Sequence, residues 1–193
     1  MKIKFLALCL LLVSCSSWTP AERKIIDSSD SLMYVCVMPK DSAVLRAVSR
    51  DFEPELIGSA RLRRLSEFMM HTVKDPSQDG VGIAAPQVGI NRRMVCVQRF
   101  DKQGKPFECY ANIHIDSLFG PVVHGPEGCL SVPSKRGIVP RSSGISISYV
   151  NPLSGEAATE TVEGFTAIIF QHECDHLDGI LYTDRADSVF VKF

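Results

Sequence analysis

Apolar residues recur at helical spacing in two parts of this sequence. From Ser59 to Val73 they fall on one face of a helix, at Leu62, Leu65, Phe68, Met69 and Val73. Gly164–Leu177 has the same spacing, and its expected inner face carries Phe165, Ile168, Ile169 and His172, with His176 one turn further on. Gly179 follows, and glycine commonly ends a helix in the left-handed conformation. The pattern predicts two amphipathic helices, the second late in the chain.

Runs of apolar and β-branched residues predict strands between these two helices. The clearest runs are Met94–Val97 and Ile145–Val150. Asn151–Gly155 is typical of a turn, and the alternating segment Thr159–Val162 is then the returning strand. Because the strands cluster before one late helix, the fold class is α+β and not an alternating α/β arrangement.

Composition limits the class of protein. The chain has 193 residues, 45% of them hydrophobic, which suits one globular domain with a sizeable core. The net charge is −1 and no block of basic residues is present, so the sequence does not point to nucleic-acid binding. The cysteines outside the candidate motifs described below show no spacing of a small disulfide framework, and we expect buried free thiols at Cys36, Cys96, Cys109 and Cys174.

The first residues form a segment of their own. Lys2 and Lys4 precede an apolar run, Phe5–Val13. This run is short for a transmembrane helix, and a basic start followed by a short apolar core is typical of a secretory signal. A cleaved soluble signal and a retained anchor are both compatible with it.

The end of the apolar run favours a third alternative. Leu12-Val13-Ser14-Cys15 resembles the lipobox of bacterial lipoproteins, in which cleavage before the cysteine is followed by its acylation. We therefore predict a signal peptide over residues 1–14 and a lipid-bearing Cys15. Residues 15–32 would be a polar, largely unstructured tether, and the folded domain would span 33–193.

The predicted late helix carries an H-E-x-x-H motif, at His172, Glu173 and His176. Residues four apart lie on one helical face, so both imidazoles can reach a single metal ion. Glu173 then lies beside the metal, where a carboxylate can take a proton from bound water. The alternative is an ordinary charged helix with two surface histidines.

A catalytic site of this kind needs a third protein ligand and an open position for water. Cys129, within Glu127–Ser131 and close to two prolines, is the candidate; its alternative role is that of a small buried apolar residue. A further segment, Gly80–Gln87, is rich in small residues that let the backbone approach a ligand closely. Gln87 ends this segment with an amide that can donate to a developing oxyanion.

Three segments together resemble the signature motifs of the peptide deformylases. They are G-x-G-x-A-A-x-Q at Gly80–Gln87, E-G-C-L-S at Glu127–Ser131, and Q-H-E-x-D-H-L-x-G at Gln171–Gly179. The similarity runs from about Tyr34 to Arg185 and includes Ile180–Tyr182, which resembles the family's strand after the metal helix. It implies a fold in which β-sheets surround a central metal-binding helix.

The resemblance also implies an activity, the removal of the N-formyl group from N-formylmethionyl peptides by a metal-bound water. One divalent ion would be held by Cys129, His172 and His176. Fe(II) is the metal that the family implies, whereas the ligand chemistry alone also suits Zn, Ni or Co. Glu173 would move the proton, and the oxyanion would be shared by the metal, the Gln87 amide and the Leu130 backbone N–H.

The same resemblance implies a substrate pocket and its support. The pocket would be formed by Val81, Gly82, Phe165, Ile168 and Ile169. Glu127 and Arg141 would form an ion pair that supports the Cys129 segment. No nucleic-acid partner is implied, and we expect a monomer.

The location predicted from the N-terminus leaves alternatives open. A lipoprotein lies outside the cytoplasm, at a membrane, whereas translation from Met33 would give a cytoplasmic enzyme. An exported protein could also be a metallo-amidase or peptidase of changed specificity, or a lipoprotein binding module with a vestigial metal site.

Overall fold

The computed structural model describes residues 17–78 and 80–191. Its helices are α1 (Pro20–Ser28), α2 (Ser42–Leu45), α3 (Ala60–Lys74), α4 (Gly164–Leu177) and α5 (Tyr182–Arg185). Its strands are β1 (Gly82–Ala84), β2 (Met94–Gln98), β3 (Phe107–Cys129), β4 (Val132–Val150), β5 (Ala157–Glu163) and β6 (Ser188–Val191). No helix in this part of the chain is both long enough and apolar enough to span a membrane.

One antiparallel sheet holds the strands in the order β1–β2–β3–β4–β5, and β6 pairs with β4. Strand β3, of 23 residues, was not predicted, and β4, of 19 residues, extends well beyond the predicted segment Ile145–Val150. Several register shifts interrupt their pairing, and such bulges bend a strand pair. Helix α4 packs against five of the strands, β1 to β5. The predicted α+β class, with strands around a central helix, is confirmed.

The sheet separates two hydrophobic cores. Along β2, Met94 and Cys96 face a core shared with α1 and α3, whereas Val95 and Val97 face the core shared with α4. Successive side chains of a strand point to opposite faces, so a strand buried on both faces needs an unbroken apolar run. The two predicted helices are confirmed: α3 begins directly after Ser59, and α4 has the predicted bounds.

The segment predicted to be an unstructured tether is largely folded, and that prediction is wrong. Thr19 and Glu22 form a capping box that starts α1. Trp18 and Ile26 are buried in the core beside α3. The sequence feature that indicates this helix is the spacing of four residues between Trp18, Glu22 and Ile26, and the polar composition of the segment obscures it. Cys15 and the predicted signal peptide over residues 1–14 lie outside the described residues.

Two smaller predictions are also wrong. Cys96 and Cys109 are directly opposite partners on β2 and β3 and form a disulfide, whereas free thiols were expected. Strand register brings them together, and a separation of 13 residues along the chain does not reveal it. Ile180–Tyr182, expected as a strand, leads into α5, where the Asp184 carboxylate accepts from the Leu181 N–H at 2.8 Å. Cys36 and Cys174 are buried and free, as predicted.

Candidate active site

Helix α4 carries His172, Glu173 and His176 into the centre of the fold. The two imidazole rings lie one turn apart, with their centroids 5.2 Å from each other. His176 is almost fully buried, and His172 is partly exposed to a pocket. The amphipathic helix therefore presents both imidazoles on one side.

Cys129 reaches the same place from the sheet. It is the last residue of β3, where the chain turns through Leu130 and Ser131 into β4. The Cys129 sulfur lies 3.1 Å from His176 Nε2. Together with His172, these side chains supply three potential ligand atoms that all lie within 4.8 Å of one another.

The chemistry of these three donors fits a divalent metal ion. Burial raises the pKa of the Cys129 thiol, but the imidazoles of His176 and His172 outweigh that effect and hold the pKa well below its usual range. The thiolate is the form of cysteine that binds metals. A thiolate with two imidazoles is an intermediate-to-soft set, and three protein ligands leave the fourth position of a tetrahedral site open.

A buried ion pair orients one of the ligands. His172 Nδ1 lies 2.8 Å from Glu127 Oε2, which leaves Nε2 free for an ion. Arg141 binds both oxygens of Glu127, at 2.8 and 3.1 Å, so the predicted ion pair is confirmed. Burial raises the pKa of Glu127, but His172 and Arg141 outweigh it and lower the pKa to about 2. Glu127 is therefore an anionic acceptor at neutral pH.

Asp175 extends this support and was missed by the sequence reasoning. Its carboxylate accepts from Arg141 Nη1 at 2.6 Å and from Arg185 at 2.7 Å. The signal that could have found it is its place inside the H-E-x-x-H motif, beside His176, where a buried acid needs a cationic partner.

Glu173 is buried beside the ligand cluster with one oxygen unengaged. Among the described residues, its Oε2 has no hydrogen-bond partner. Burial raises the pKa of Glu173 to about 7. A carboxyl group with such a pKa can both accept and return a proton near neutral pH.

Gly82 makes room for this carboxylate. A Cβ atom at position 82 would lie only 2.5 Å from Glu173 Oε1 and 2.9 Å from Ile169 Cγ2. Strand β1 therefore passes α4 at a distance that any larger residue would prevent. The sequence predicted that the small residues of Gly80–Gln87 approach a ligand, whereas the close approach seen here is to the side chains of α4.

Gln87 directs its amide at the sulfur ligand. Its Oε1 accepts from the Ala84 N–H at 2.8 Å, which fixes the orientation of the side chain. Its Nε2 then points at Cys129 Sγ, 3.5 Å away, and at Ser131 Oγ, 3.3 Å away. The amide N–H groups are thus placed beside the three convergent donors, and Ser131 is a neighbour that the sequence reasoning did not single out.

A pocket of about 420 Å³ opens onto these groups. All residues predicted for the substrate pocket line it, namely Val81, Gly82, Phe165, Ile168 and Ile169. Phe165 was expected on the inner face of the helix, but it is 53% exposed and stacks edge-on against Phe100. It is the second residue of α4. A larger cleft, of about 700 Å³, lies on the other side of α4 and contains none of the three convergent ligands.

Comparison with known proteins agrees with this geometry. A family model described as polypeptide deformylase matches residues 33–190. The chain belongs to the peptide deformylase family. It is 37% identical to a peptide deformylase of Leptospira biflexa over 152 residues, which is 75% of this chain and 83% of the relative. It is 38% identical to peptide deformylase 2 of Pseudomonas putida over 159 residues, 79% of this chain and 86% of that one.

Solved structures of peptide deformylases share the fold. The actinonin-bound class I type b enzyme of Acinetobacter baumannii superimposes with a TM-score of 0.72 at 33% identity, covering 81% of this chain and 99% of that one. The same enzyme bound to Met-Ala-Ser gives a TM-score of 0.71 at 33% identity over 80% of this chain and 98% of that one. The predicted family, fold and metal-dependent deformylase function are thereby confirmed.

Proposed function

We propose that this chain hydrolyses the formyl group from N-formylmethionyl peptides at the pocket beside α4. The observation that carries the proposal is the convergence of Cys129, His172 and His176 with Glu173 and Gln87 in one pocket. The Acinetobacter baumannii relative has been crystallised with Met-Ala-Ser, the sequence that a formyl-Met-Ala-Ser peptide would leave after deformylation.

One divalent ion held by Cys129, His172 and His176 would supply Lewis-acid chemistry, acidifying water and polarising the formyl carbonyl. Fe(II) is favoured by the family resemblance, and the same donor set accepts Zn, Ni or Co. Glu173 takes the proton from the attacking water and returns it to the leaving amine, since its side chain lines the same pocket as Cys129 and His172. Gln87 Nε2 and the Leu130 N–H donate to the oxyanion as it forms.

The pocket walls position the peptide. Val81, Ile168 and Ile169 offer apolar surface to the first side chain, and Phe165 covers it from the rim. Gly82 lets the peptide and the base approach each other because it carries no side chain. An unbranched, polarisable methionine side chain suits a pocket of this kind.

We further propose that the enzyme is a monomer held outside the cytoplasm by an acylated Cys15. The disulfide between Cys96 and Cys109 supports an oxidising compartment, because disulfides are rare in the cytosol. Helix α1 argues against a start at Met33. Such a start would remove the buried Trp18 and Ile26 side chains from the core beside α3, and with them Glu22, one of the two carboxylates that bind Arg92.

Formate release from formyl-Met-Ala-Ser by the full-length protein tests the activity, with elemental analysis of the same sample. We expect about one metal ion per chain, and loss of both metal and turnover in Cys129→Ala. Acetyl-Met-Ala-Ser and a peptide that can be hydrolysed only at an internal peptide bond serve as competing substrates. Preference for either would favour the amidase or peptidase alternative, and metal binding without any turnover would favour the binding module.

Mass spectrometry of the native N-terminus tests the location. A first residue of acylated Cys15 is expected. An unmodified Cys15 or a peptide that begins at Met33 would refute the lipid anchor.

A further inference from the structure

Two cationic side chains of β4, Lys135 and Arg136, line the active-site pocket. Lys135 is exposed, and Arg136 is half-buried. The described carboxylates that line the same pocket are Glu127 and Glu173. Glu127 is held in the ion pair described above, and Glu173 is the proposed base. The described part of the pocket therefore carries positive charge in addition to the groups that the proposed reaction uses.

Arg136 differs from the other arginines near α4 in having no partner among the described residues. Arg141 and Arg185 both bind the Asp175 carboxylate, at 2.6 and 2.7 Å, whereas the Arg136 guanidinium has no ion-pair or hydrogen-bond partner in the described part of the chain. A guanidinium presents five N–H donors in a rigid fork that matches a carboxylate. Arg136 therefore keeps its donors available for a bound anion.

Gly128 makes room for the Arg136 guanidinium directly beside a metal ligand. A Cβ atom at position 128 would overlap Nη1 and Cζ of Arg136, so the guanidinium fills the space that a side chain would take. Cys129 is the next residue, and consecutive Cα atoms are about 3.8 Å apart. The guanidinium therefore lies within about 10 Å of the Cys129 sulfur.

The backbone that carries Arg136 is held on both edges of β4. Arg136 pairs with Phe190 of β6, and Gly137 pairs with Glu127 of β3. Gly137 also packs closely on a buried ring, since a Cβ there would lie 3.1 Å from Tyr182 Cε2. A group held in this way needs less ordering when a ligand binds, which favours affinity.

We infer that Arg136 binds the C-terminal carboxylate of short formyl peptides, so that the enzyme prefers formylated tripeptides with a free carboxylate to longer chains. Lys135 adds positive charge at the same rim. The inference rests on the proposed function, which places the formyl group at the ligand cluster. An extended chain spans at most about 3.6 Å per residue, so the carboxylate of a tripeptide lies up to about 11 Å from its first nitrogen. That span matches the distance to Arg136, whereas the end of a longer chain lies beyond it.

Substrates that differ only in their C-terminal group test this role. Formyl-Met-Ala-Ser and formyl-Met-Ala-Ser-Gly-Gly-Gly are each compared as free acid and as amide, with the full-length protein. A hydrogen bond to a charged group is worth on the order of tenfold in binding. We expect the acid of the tripeptide to exceed its amide about tenfold in kcat/KM, and the two forms of the hexapeptide to be equal. The difference should lie in KM, because Arg136 does not touch the reacting atoms.

Arg136→Gln removes the charge and should lower the acid-to-amide ratio of the tripeptide to about one. Arg63→Gln is the matched control, because it removes one positive charge from an exposed position of α3 that does not line the pocket. It should leave the ratio unchanged. Arg136→Lys keeps the charge without the fork of donors and should give an intermediate ratio.

Binding of the product gives a second readout that does not depend on turnover. Calorimetric titration with Met-Ala-Ser as acid and as amide should show the same preference for the acid, and Arg136→Gln should abolish it. A ratio near one in the unaltered chain, or a ratio that survives Arg136→Gln, would overturn the carboxylate site. Equal losses on acid and amide in Arg136→Gln would also overturn it, since they would show a structural role alone. If the unaltered chain deformylated neither form, the proposed function itself would be wrong.

Discussion

The two sides of helix α4 differ in whether their buried polar groups have hydrogen-bond partners. On the pocket side, Glu173 Oε2 has no hydrogen-bond partner among the described residues. On the far side, Asp175 is bound by both Arg141 and Arg185, at 2.6 and 2.7 Å. Burying a polar group without a partner costs free energy, so proteins keep such groups mainly where they act. The pocket side is therefore the reactive side, and the far side is its support.

The two sides are nevertheless connected. Asp175 holds Arg141, Arg141 binds both oxygens of Glu127, and Glu127 accepts from His172 at 2.8 Å. A satisfied network of this kind fixes the orientation of each member. Substitutions on the pocket side should change chemistry, and those on the far side should act only through the geometry of His172.

The largest effect is expected at the unengaged carboxylate of the pocket side. Glu173→Gln keeps the shape of the side chain and removes its ability to carry a proton. General acid–base groups contribute about 10²–10⁴-fold to rate, so kcat should fall by that factor. Steady-state kinetics and elemental analysis on one sample should show lost turnover with metal retained. A near-normal kcat would remove Glu173 from the mechanism.

A smaller but still large effect is expected where β1 passes the base. In Gly82→Ala, the new Cβ would meet Glu173 Oε1 at 2.5 Å, so the carboxylate or the strand must move. A misplacement of about 1 Å near reacting groups can cost on the order of 10²-fold in rate. Gly125→Ala is the matched control, since a Cβ there meets nothing within 4 Å, and it should keep its kcat/KM. Equal kinetics for the two variants would contradict the steric argument.

The pocket side was largely predictable from the sequence, and the reason is chemical. Metal ligation and proton transfer demand particular residue types at particular spacings, so the H-E-x-x-H motif marks His172, Glu173 and His176, whereas the resemblance to the peptide deformylases was needed to select Cys129. Helical spacing then aligned the two histidines, and the observed bounds of α4 match the prediction. The close approach of Gly82 to Glu173 was not predicted, because it depends on how β1 and α4 pack against each other.

The rest depended on contacts between distant parts of the chain. The partners of Asp175 are 34 and 10 residues away, and nothing local marks them as partners. The disulfide requires the register of β2 on β3, and the docking of α1 requires Arg92, 70 residues beyond Glu22. A polar, Ser-rich composition suggested a tether, but three buried side chains four residues apart were enough to fold it.

A moderate effect is expected from breaking the network that joins the two sides of α4. Substitution of a residue that orients a metal ligand typically weakens metal binding by about 10–100-fold, which we expect for Glu127→Gln. Asp175 reaches His172 only through Arg141 and Glu127, so Asp175→Asn should weaken metal binding less than Glu127→Gln does, by under about tenfold. Competition with a metal chelator measures both affinities.

Asp178→Asn is the control for this pair. It also removes a carboxylate that binds an arginine, Arg93 at 2.6 Å, but no contact joins it to His172. Its metal affinity should stay unchanged. If all three variants lost metal equally, the orienting role of the network would be wrong, and general destabilisation would be the explanation.

The smallest effect is expected at Cys174, which tests the comparison with a single residue type. Cys129 and Cys174 are both free thiols. Cys174 lies between His172 and His176 in the sequence, but only Cys129 belongs to the cluster of convergent ligand atoms. Burial raises the pKa of the Cys174 thiol, whereas the imidazoles hold the pKa of Cys129 well below its usual range. Cys174→Ala should therefore keep its metal and its kcat/KM and lose only about 1 kcal/mol of unfolding free energy, the typical cost of one substitution.

In metal-depleted protein, iodoacetamide should label Cys129 well before Cys174, because the thiolate is the reactive form. Faster labelling of Cys174, or loss of metal from Cys174→Ala, would show that the two sides of α4 are not as different as their hydrogen bonding implies.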